Sequence, residues 1–297
     1  MRTPRIFRDI HPFSIQIALN AQQHWLWDVP VGELFFIGLG LHDEFGISLR
    51  GQMEAKSCDY LFAEFYTSVM PGLDLGNLEK IVGKRVQVLS RKEVEEDAET
   101  IILPKALAGK VGFIVPGDPM VATTHVDLRL RAHKVGVKTR VVHAASVVTA
   151  IAGVTGLQSY KFGRTVTVPA FRQGDFPESV YMGIRNNMAS GLHSLVLLEV
   201  DVENKRHISI SEALKQFLDF SQRRSERAIT LETLAVGVAR LEAADMTIKA
   251  ATVPELMQWN FGEPPHALIL PGPLHFIEAE ALLAFCGARR ELVNIRP

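Results

Sequence analysis

The chain has 297 residues, of which 47% are hydrophobic and 22% are charged, and its 32 Lys and Arg residues nearly balance its 33 Asp and Glu residues. The hydrophobic fraction suffices for one or two packed cores, and a formal net charge of −1 argues against a protein that coats itself in nucleic acid or anionic lipid. No apolar run approaches the roughly 20 residues of a membrane span, and two cysteines cannot form a disulfide framework, so we expect a soluble, cytoplasmic α/β protein.

The first 33 residues differ in composition from the rest of the chain. They contain three prolines and the tryptophans Trp25 and Trp27. Their apolar stretch at 13–19 is interrupted by Ser14 and Gln16, whereas a secretory signal needs an unbroken apolar region. We therefore interpret residues 1–33 as an N-terminal extension without a catalytic role.

From Leu34 onwards, short apolar runs alternate with helical patterns. Strands are predicted at 34–37, 60–63, 85–89, 111–115 and 138–142, and the first of them, which is wholly apolar, is expected to be buried. Helices are predicted at 48–57, 75–82 and 123–135, and the acidic stretch 93–99 is typical of the solvated face of a helix. Such alternation favours a parallel or mostly parallel sheet with helices on both faces.

A second series of elements follows a segment rich in Gly, Pro, Thr and Phe. Strands are predicted at 194–200, 233–239, 247–251 and 267–270, and helices at 211–221 and 276–286. The two series predict two domains, 34–148 and 149–297, with a boundary near 144–154.

Three loops that follow predicted strands are candidates for ligand binding, because open α/β sheets bind ligands at the carboxyl ends of their strands. Gly38-Leu39-Gly40 contains two glycines, and Pro116-Gly117-Asp118-Pro119 is a rigid turn that carries one carboxylate. His143-Ala144-Ala145-Ser146 has small side chains that leave room for a flat ring system. For the glycines and the prolines, an ordinary structural turn remains an alternative.

Several common chemistries lack support in the sequence. Asp43 stands where a dinucleotide fingerprint needs its last glycine, and no acid at the end of the second strand suits a ribose. Neither GxSxG nor HExxH occurs, and the histidines lack metal-ligand spacing, so no metal is predicted. His266, considered alone, is more typical of a hydrogen-bonding loop residue than of a catalyst.

Longer motifs point to a family. The sequence reads LFFIGLGLHDEFGIS at 34–48, FAEFYTSVMPG at 62–72, VPGDPMVATTH at 115–125, HAASVVTAIAGVTGLQSYKFG at 143–163 and FGEPPHALILPG at 261–272. In this order and spacing they resemble the diphthine synthase family, the S-adenosylmethionine-dependent methyltransferases of diphthamide biosynthesis. The resemblance implies two α/β lobes of tetrapyrrole-methylase-like type with the cofactor cleft between them.

The same resemblance implies the cofactor and its contacts. The cofactor is S-adenosyl-L-methionine, and the walls of its site are mainly Leu and Val with three polar residues. The implied contacts are Leu41, Asp118, Val121, Ser146, Val147, Leu197, Leu241 and His266. Leu197 and Leu241 lie in ordinary strand-like sequence and would otherwise be read as core residues.

The implied acceptor is the amino group of a 3-amino-3-carboxypropyl histidine on translation elongation factor two, and the implied assembly is a homodimer. No catalytic residue is assigned, and Tyr66 and Asp43 are candidates either for orienting the amine or for structural roles. Two alternatives stay open, a tetrapyrrole methyltransferase of the same fold and a non-catalytic protein that retains the cofactor pocket.

Overall fold

The structure, a computed structural model, describes residues 32–170, 176–202, 204, 206–224 and 228–293. The strands are β1 Glu33–Gly38, β2 Tyr60–Glu64, β3 Gln87–Leu89, β4 Lys110–Val115, β5 Lys138–Val142, β6 Val166–Val168, β7 Ser194–Leu198, β8 Val200–Asp201, β9 Arg206–His207, β10 Leu234–Ala239, β11 Thr247–Thr252 and β12 His266–Leu270. The α-helices are α1 Leu49–Ser57, α2 Leu75–Val82, α3 Arg91–Glu95, α4 Ala98–Ile101, α5 Leu103–Ala108, α6 His125–Lys134, α7 Val147–Thr155, α8 Glu178–Ala189, α9 Ile210–Gln222, α10 Val253–Gln258 and α11 Phe276–Phe285.

The predicted extension falls almost entirely outside the described residues. Residues 1–31, including Trp25 and Trp27, are not among them. Glu33, which we expected to belong to the extension, is the first residue of β1 and lies in register with Lys110 and Lys138. The fold therefore begins one residue earlier than predicted.

The first lobe has the parallel sheet that the sequence predicts. Its strand order is β3-β2-β4-β1-β5, and each neighbouring pair is parallel. The strands β1, β2 and β4 are buried on both sides, and two separate core clusters form around Phe36 and Phe113 on one side and around Phe35 and Ile37 on the other. This confirms a sheet with helices packed on both faces.

Local caps explain why the first helices begin where the sequence indicates. The hydroxyl of Ser48 accepts a hydrogen bond from the Gly51 amide at 3.0 Å, which fixes the start of α1. The carboxylate of Asp74 accepts from the Asn77 amide at 2.8 Å at the start of α2. Gly83 ends α2 with a φ of 74°, which is a left-handed conformation that favours glycine.

The second sheet is mostly antiparallel, unlike the first. Its order is β11-β10-β12-β7-β6, and only the β6–β7 pair is parallel. An apolar run predicts a buried strand but carries no signal of direction. β10 and β11 are separated by only the short segment 240–246, which suits an antiparallel hairpin rather than a crossover.

Three helices of the second lobe, α7, α8 and α10, were not predicted. α7 has the sequence VVTAIAGVT, whose β-branched residues disfavour a helix, but tertiary packing overrides this propensity. Its Ile151 lies in one apolar cluster with Leu195, Val236 and Ile269 of the second sheet. The predicted domain boundary between 148 and 149 falls inside this helix.

A buried carboxylate fixes the chain that follows α7. Glu278 of α11 has no exposed surface and accepts hydrogen bonds from the Gln158 amide at 2.9 Å and the His275 amide at 2.8 Å. It also pairs with the Lys161 ammonium at 2.5 Å and with Nε2 of His193 at 2.8 Å. These partners hold the pKa of Glu278 at about 2, against the opposing effect of burial. The cluster joins the segment after α7 and the residue before β7 to α11.

The two cysteines are buried and unlinked. Cys58 lies in the first lobe and Cys286 in the second, and burial raises the pKa of each thiol to about 12. Both thiols are therefore protonated and unreactive at neutral pH. None of the helices within the described ranges has the length and apolar character that crossing a membrane requires.

Candidate active site

A cavity of about 310 Å³ lies between the two lobes, and this volume is within the range of ligand pockets. Loops after β1, β4 and β5 form one wall, and β7, the loop after β10 and the start of β12 form another. All of the cofactor contacts implied by the sequence line this one cavity: Leu41, Asp118, Val121, Ser146, Val147, Leu197, Leu241 and His266. The fold thus brings together residues that lie up to 225 positions apart in the chain (266 − 41).

Glycines allow the first two loops to meet. The Gly117 amide donates to the Gly40 carbonyl at 2.7 Å, and the Gly40 amide donates to the Gly117 carbonyl at 3.3 Å. Both residues have positive φ angles, 84° for Gly40 and 67° for Gly117. A Cβ on Gly38 would lie 2.7 Å from the Gly117 carbonyl oxygen and 2.7 Å from the Ala144 Cβ. The GxG pattern therefore serves close packing of three loops rather than a dinucleotide.

Asp118 is already engaged with its surroundings. One carboxylate oxygen accepts from the Met120 amide at 3.0 Å, and the other pairs with Nδ1 of His143 at 2.7 Å. The side chain is only 7% exposed. It therefore contributes more to holding the loop in place than a side chain at an exposed loop tip would. It does not cap the following helix, because α6 begins after Thr124 without a side-chain cap.

Three buried polar atoms at the cavity lack hydrogen-bond partners within the described part of the chain. They are the hydroxyl oxygens of Thr123 and Ser146 and Nδ1 of His266. Buried polar groups in proteins are nearly always paired, since an unpaired group keeps the cost of losing water. Three such atoms on one cavity indicate a ligand with donors and acceptors of its own.

His266 presents a hydrogen-bond acceptor at this wall. Its Nε2 lies 3.1 Å from the Gly262 carbonyl oxygen, which can only accept, so Nε2 carries the proton. Burial lowers the pKa of His266, and the ring is therefore neutral at neutral pH. Its Nδ1 consequently has a lone pair available to an N–H or O–H group of a ligand.

Arg240 connects the loops that form the second-lobe wall of the cavity, and the sequence analysis did not identify it. Its guanidinium donates to the Phe261 carbonyl at 2.6 Å and the Glu263 carbonyl at 2.7 Å, and it pairs with Asp245 at 2.7 Å. It thereby ties the loop that carries Leu241 to the loop before β12. Arg240 has a positive φ of 50°, which is strained for a residue with a side chain. Nothing in the surrounding sequence signals this role.

Polar residues line the end of the cavity nearest β2 and β3. They include Tyr66, Ser68, Arg91 and Glu95. Of the two residues considered for orienting an amine, Tyr66 is therefore at the cavity. The side chain of Asp43 instead accepts from the Phe45 amide at 3.0 Å and caps a short 3-10 turn. Asp43 has a structural role.

An acid does lie at the end of β2, contrary to our expectation, but local donors occupy it. Glu64 is fully buried and accepts from the Tyr66 and Thr67 amides at 3.0 Å each and from the Thr67 hydroxyl at 2.5 Å. It is thus unavailable to a ribose. No group of three or more metal-ligating side chains is found within the described ranges.

Comparison with known proteins identifies the class that this fold and cavity define. The family model for Tetrapyrrole (Corrin/Porphyrin) Methylases matches residues 33–253. The chain therefore belongs to this family of methyltransferases.

More specific relatives narrow the assignment. The chain is 42% identical over 261 residues to the diphthine synthase of Methanothermobacter thermautotrophicus, covering 88% of this chain and 98% of that protein. It is 44% identical over 259 residues to the diphthine synthase of Methanosarcina barkeri, covering 86% and 96%. A crystal structure of diphthine synthase aligns with a TM-score of 0.79 at 33% identity, covering 89% of this chain and all of that one. Within its family the chain belongs to the diphthine synthases, which confirms the resemblance seen in the sequence.

Proposed function

We propose that this methyltransferase binds S-adenosyl-L-methionine in the cavity between its lobes. We further propose that it methylates the amino group of the 3-amino-3-carboxypropyl histidine of translation elongation factor two. The observation that carries the proposal is that one cavity gathers all of the residues implied as cofactor contacts. Diphthine synthase relatives that match over almost their whole length support the choice of reaction.

The cavity fits the cofactor in its chemistry. Leu41, Val147, Leu197 and Leu241 provide apolar walls for an adenosine group, and small-molecule sites are typically apolar with a few fixed polar groups. The unpaired Ser146 hydroxyl and the Nδ1 acceptor of His266 then serve the polar edge of the adenine or the ribose. Both buried polar atoms then gain the partner that the described part of the chain does not supply.

The charges at the cavity suit a cationic ligand. When bound, the cofactor supplies a methyl group on a sulfonium, which a neutral amine accepts by forming an N–C bond as the C–S bond breaks. Asp118, Glu95 and Glu199 line the cavity, whereas Arg91 is the cavity-lining residue with a permanent positive charge in the described part of the chain. This excess of carboxylates favours a positive charge in the cavity both before and after transfer.

A strong base is not required. An α-amino group has a pKa of roughly 8, so deprotonating it at pH 7 costs only about 1.4 kcal/mol. Desolvation in a cavity walled by leucines and valines lowers that pKa further. The work of the protein is therefore to align the amine with the methyl group and to exclude water. We assign no catalytic base.

The same relationship leads us to propose a homodimer that acts in the cytoplasm. Light scattering during size-exclusion chromatography tests the dimer directly. The reaction is tested by incubating the protein with labelled S-adenosylmethionine and elongation factor two that carries the unmethylated modification. Transfer to a corrin-type tetrapyrrole, visible in its absorption spectrum, would instead favour the alternative of the same fold, and cofactor binding without any transfer would indicate a non-catalytic protein.

A further inference from the structure

The cavity extends beyond the implied cofactor contacts. In the first lobe those contacts follow β1, β4 and β5, which are neighbours in the sheet. The cavity continues past them to the loops after β2 and β3, at the opposite edge of the sheet. Tyr66 follows β2, and Arg91 begins α3 directly after β3. The acceptor can thus occupy a region that the cofactor contacts leave open.

Arg91 is the permanent positive charge at this end of the cavity, and within the described ranges no carboxylate forms a close ion pair with it. The carboxylates of Glu64 and Asp201 attract it only at longer range. Each carboxylate that lines the cavity is engaged: Asp118 by Met120 and His143, Glu95 by the Thr124 hydroxyl at 3.1 Å, and Glu199 by the Ala170 amide at 2.8 Å. The Arg91 guanidinium lies over the Tyr66 ring, 5.1 Å from the ring centroid.

The placement of Arg91 suits binding of an incoming group. The side chain of Arg91 is exposed to solvent. Its charge is hydrated there and does not need a carboxylate of the protein to stabilise it. An aromatic face orients a guanidinium by cation–π attraction while leaving its N–H donors available in the plane. Those donors match a carboxylate, which they bind in a bidentate manner.

Resting on the proposed function, we propose that Arg91 binds the carboxylate of the 3-amino-3-carboxypropyl group and so positions its amine. In that group the carboxylate and the acceptor nitrogen are attached to the same carbon. Anchoring the carboxylate therefore restricts the nitrogen to a small arc within the cavity, and alignment of this kind is a large part of what the reaction needs. Arg91 acts as a substrate-binding residue for the methyl acceptor.

A carboxylate also occurs in the methionine part of the cofactor, so the experiment must separate the two sources. S-adenosylhomocysteine contains that carboxylate, and 5′-methylthioadenosine lacks it. Titration calorimetry with both compounds on the full-length protein and on Arg91→Ala measures whether Arg91 contacts the cofactor. Steady-state methyl transfer to the premodified elongation factor measures whether it contacts the acceptor.

We expect Arg91→Ala to lower kcat/KM for the protein substrate by about 10–100-fold, the usual effect of losing a hydrogen bond to a charged group. The affinities for both nucleosides should stay within about threefold of those of the wild type. Arg91→Lys should show an intermediate loss, because it keeps the charge without the planar pair of donors. The control is Lys92→Ala, which removes the neighbouring exposed charge of the same helix and should leave kcat/KM within about twofold.

Two results would overturn the role of Arg91 and leave the proposed function standing. One is an unchanged kcat/KM in Arg91→Ala, and the other is weaker binding of S-adenosylhomocysteine but not of 5′-methylthioadenosine, which would assign Arg91 to the cofactor. If the wild-type protein transfers no methyl group to the premodified factor, the proposed function itself fails and this inference fails with it. The wild-type assay alone therefore distinguishes the two failures.

Discussion

Asp118 offers a test in which ligand binding and stability can be separated. Asp118→Ala removes both of its contacts, with the Met120 amide and with His143. The Met120 amide is partly buried, and leaving it without an acceptor costs about 1 kcal/mol. The pair with His143 adds at most about 1 kcal/mol, because the His143 side chain is 72% exposed and the solvent screens the interaction. The alanine variant should thus lose about 1–2 kcal/mol of stability.

Asp118→Asn is the more informative variant, since its amide oxygen can still accept from Met120. It should lose less than about 1 kcal/mol of stability. If the carboxylate contacts the cofactor, both variants should bind S-adenosylhomocysteine about 10–100-fold more weakly, as expected for a lost charged hydrogen bond. His143→Ala, which leaves Asp118 in place, should change affinity by no more than a few-fold.

Titration calorimetry and thermal melting on these three variants provide the comparison. An asparagine variant with wild-type affinity would refute the ligand role of Asp118 and leave it as a residue that shapes the loop. A loss of affinity in His143→Ala equal to that in the asparagine variant would show that the contact between Asp118 and His143, rather than the carboxylate itself, prepares the site.

Two further predictions concern stability and the N-terminal segment. Glu278→Gln should destabilise the protein by about 3 kcal/mol at pH 7 in chemical denaturation, since a pKa shift from 4.5 to about 2 is worth that much. Because the folded pKa lies below the ordinary value, this stability is complete above pH 4.5 and is lost as the pH falls towards 2, so the gap between wild type and variant should narrow there. Glu212→Gln, which alters an exposed capping glutamate, is the control and should cost less than about 0.5 kcal/mol, because glutamine can still cap the helix. Deleting residues 1–31 should leave S-adenosylmethionine affinity within a few-fold, and a large loss would show that the segment contributes to the site.

The sequence predicted the first lobe well because its signals are local. Apolar runs bounded by glycines and prolines mark the parallel strands, and capping residues such as Ser48 and Asp74 mark the helix starts. The direction of the strands in the second sheet and the helix α7 were missed, because both depend on packing between segments distant in sequence. α7 in particular combines β-branched residues with a buried position that only the assembled lobe provides.

In the candidate site, too, residues within local motifs were predicted and residues whose role depends on the assembled fold were not. Residues within recognisable motifs, such as Asp118 and Ser146, could be assigned from the family resemblance, and the cavity contains them. Arg240 could not, because its function is to bridge loops that come together only in the fold. Glu64 was overlooked at the end of β2. It is unavailable to a ribose because its carboxylate accepts hydrogen bonds from the turn that follows the strand.

We propose that methyl groups are transferred in this cavity to the modified histidine of elongation factor two. The most direct test is mass spectrometry of elongation factor two bearing the 3-amino-3-carboxypropyl histidine after incubation with the purified protein and S-adenosylmethionine. We predict methylation confined to the peptide that contains the modified histidine, and none on the factor with an unmodified histidine. An unmethylated premodified factor, with a protein shown by calorimetry to bind the cofactor, would contradict the account.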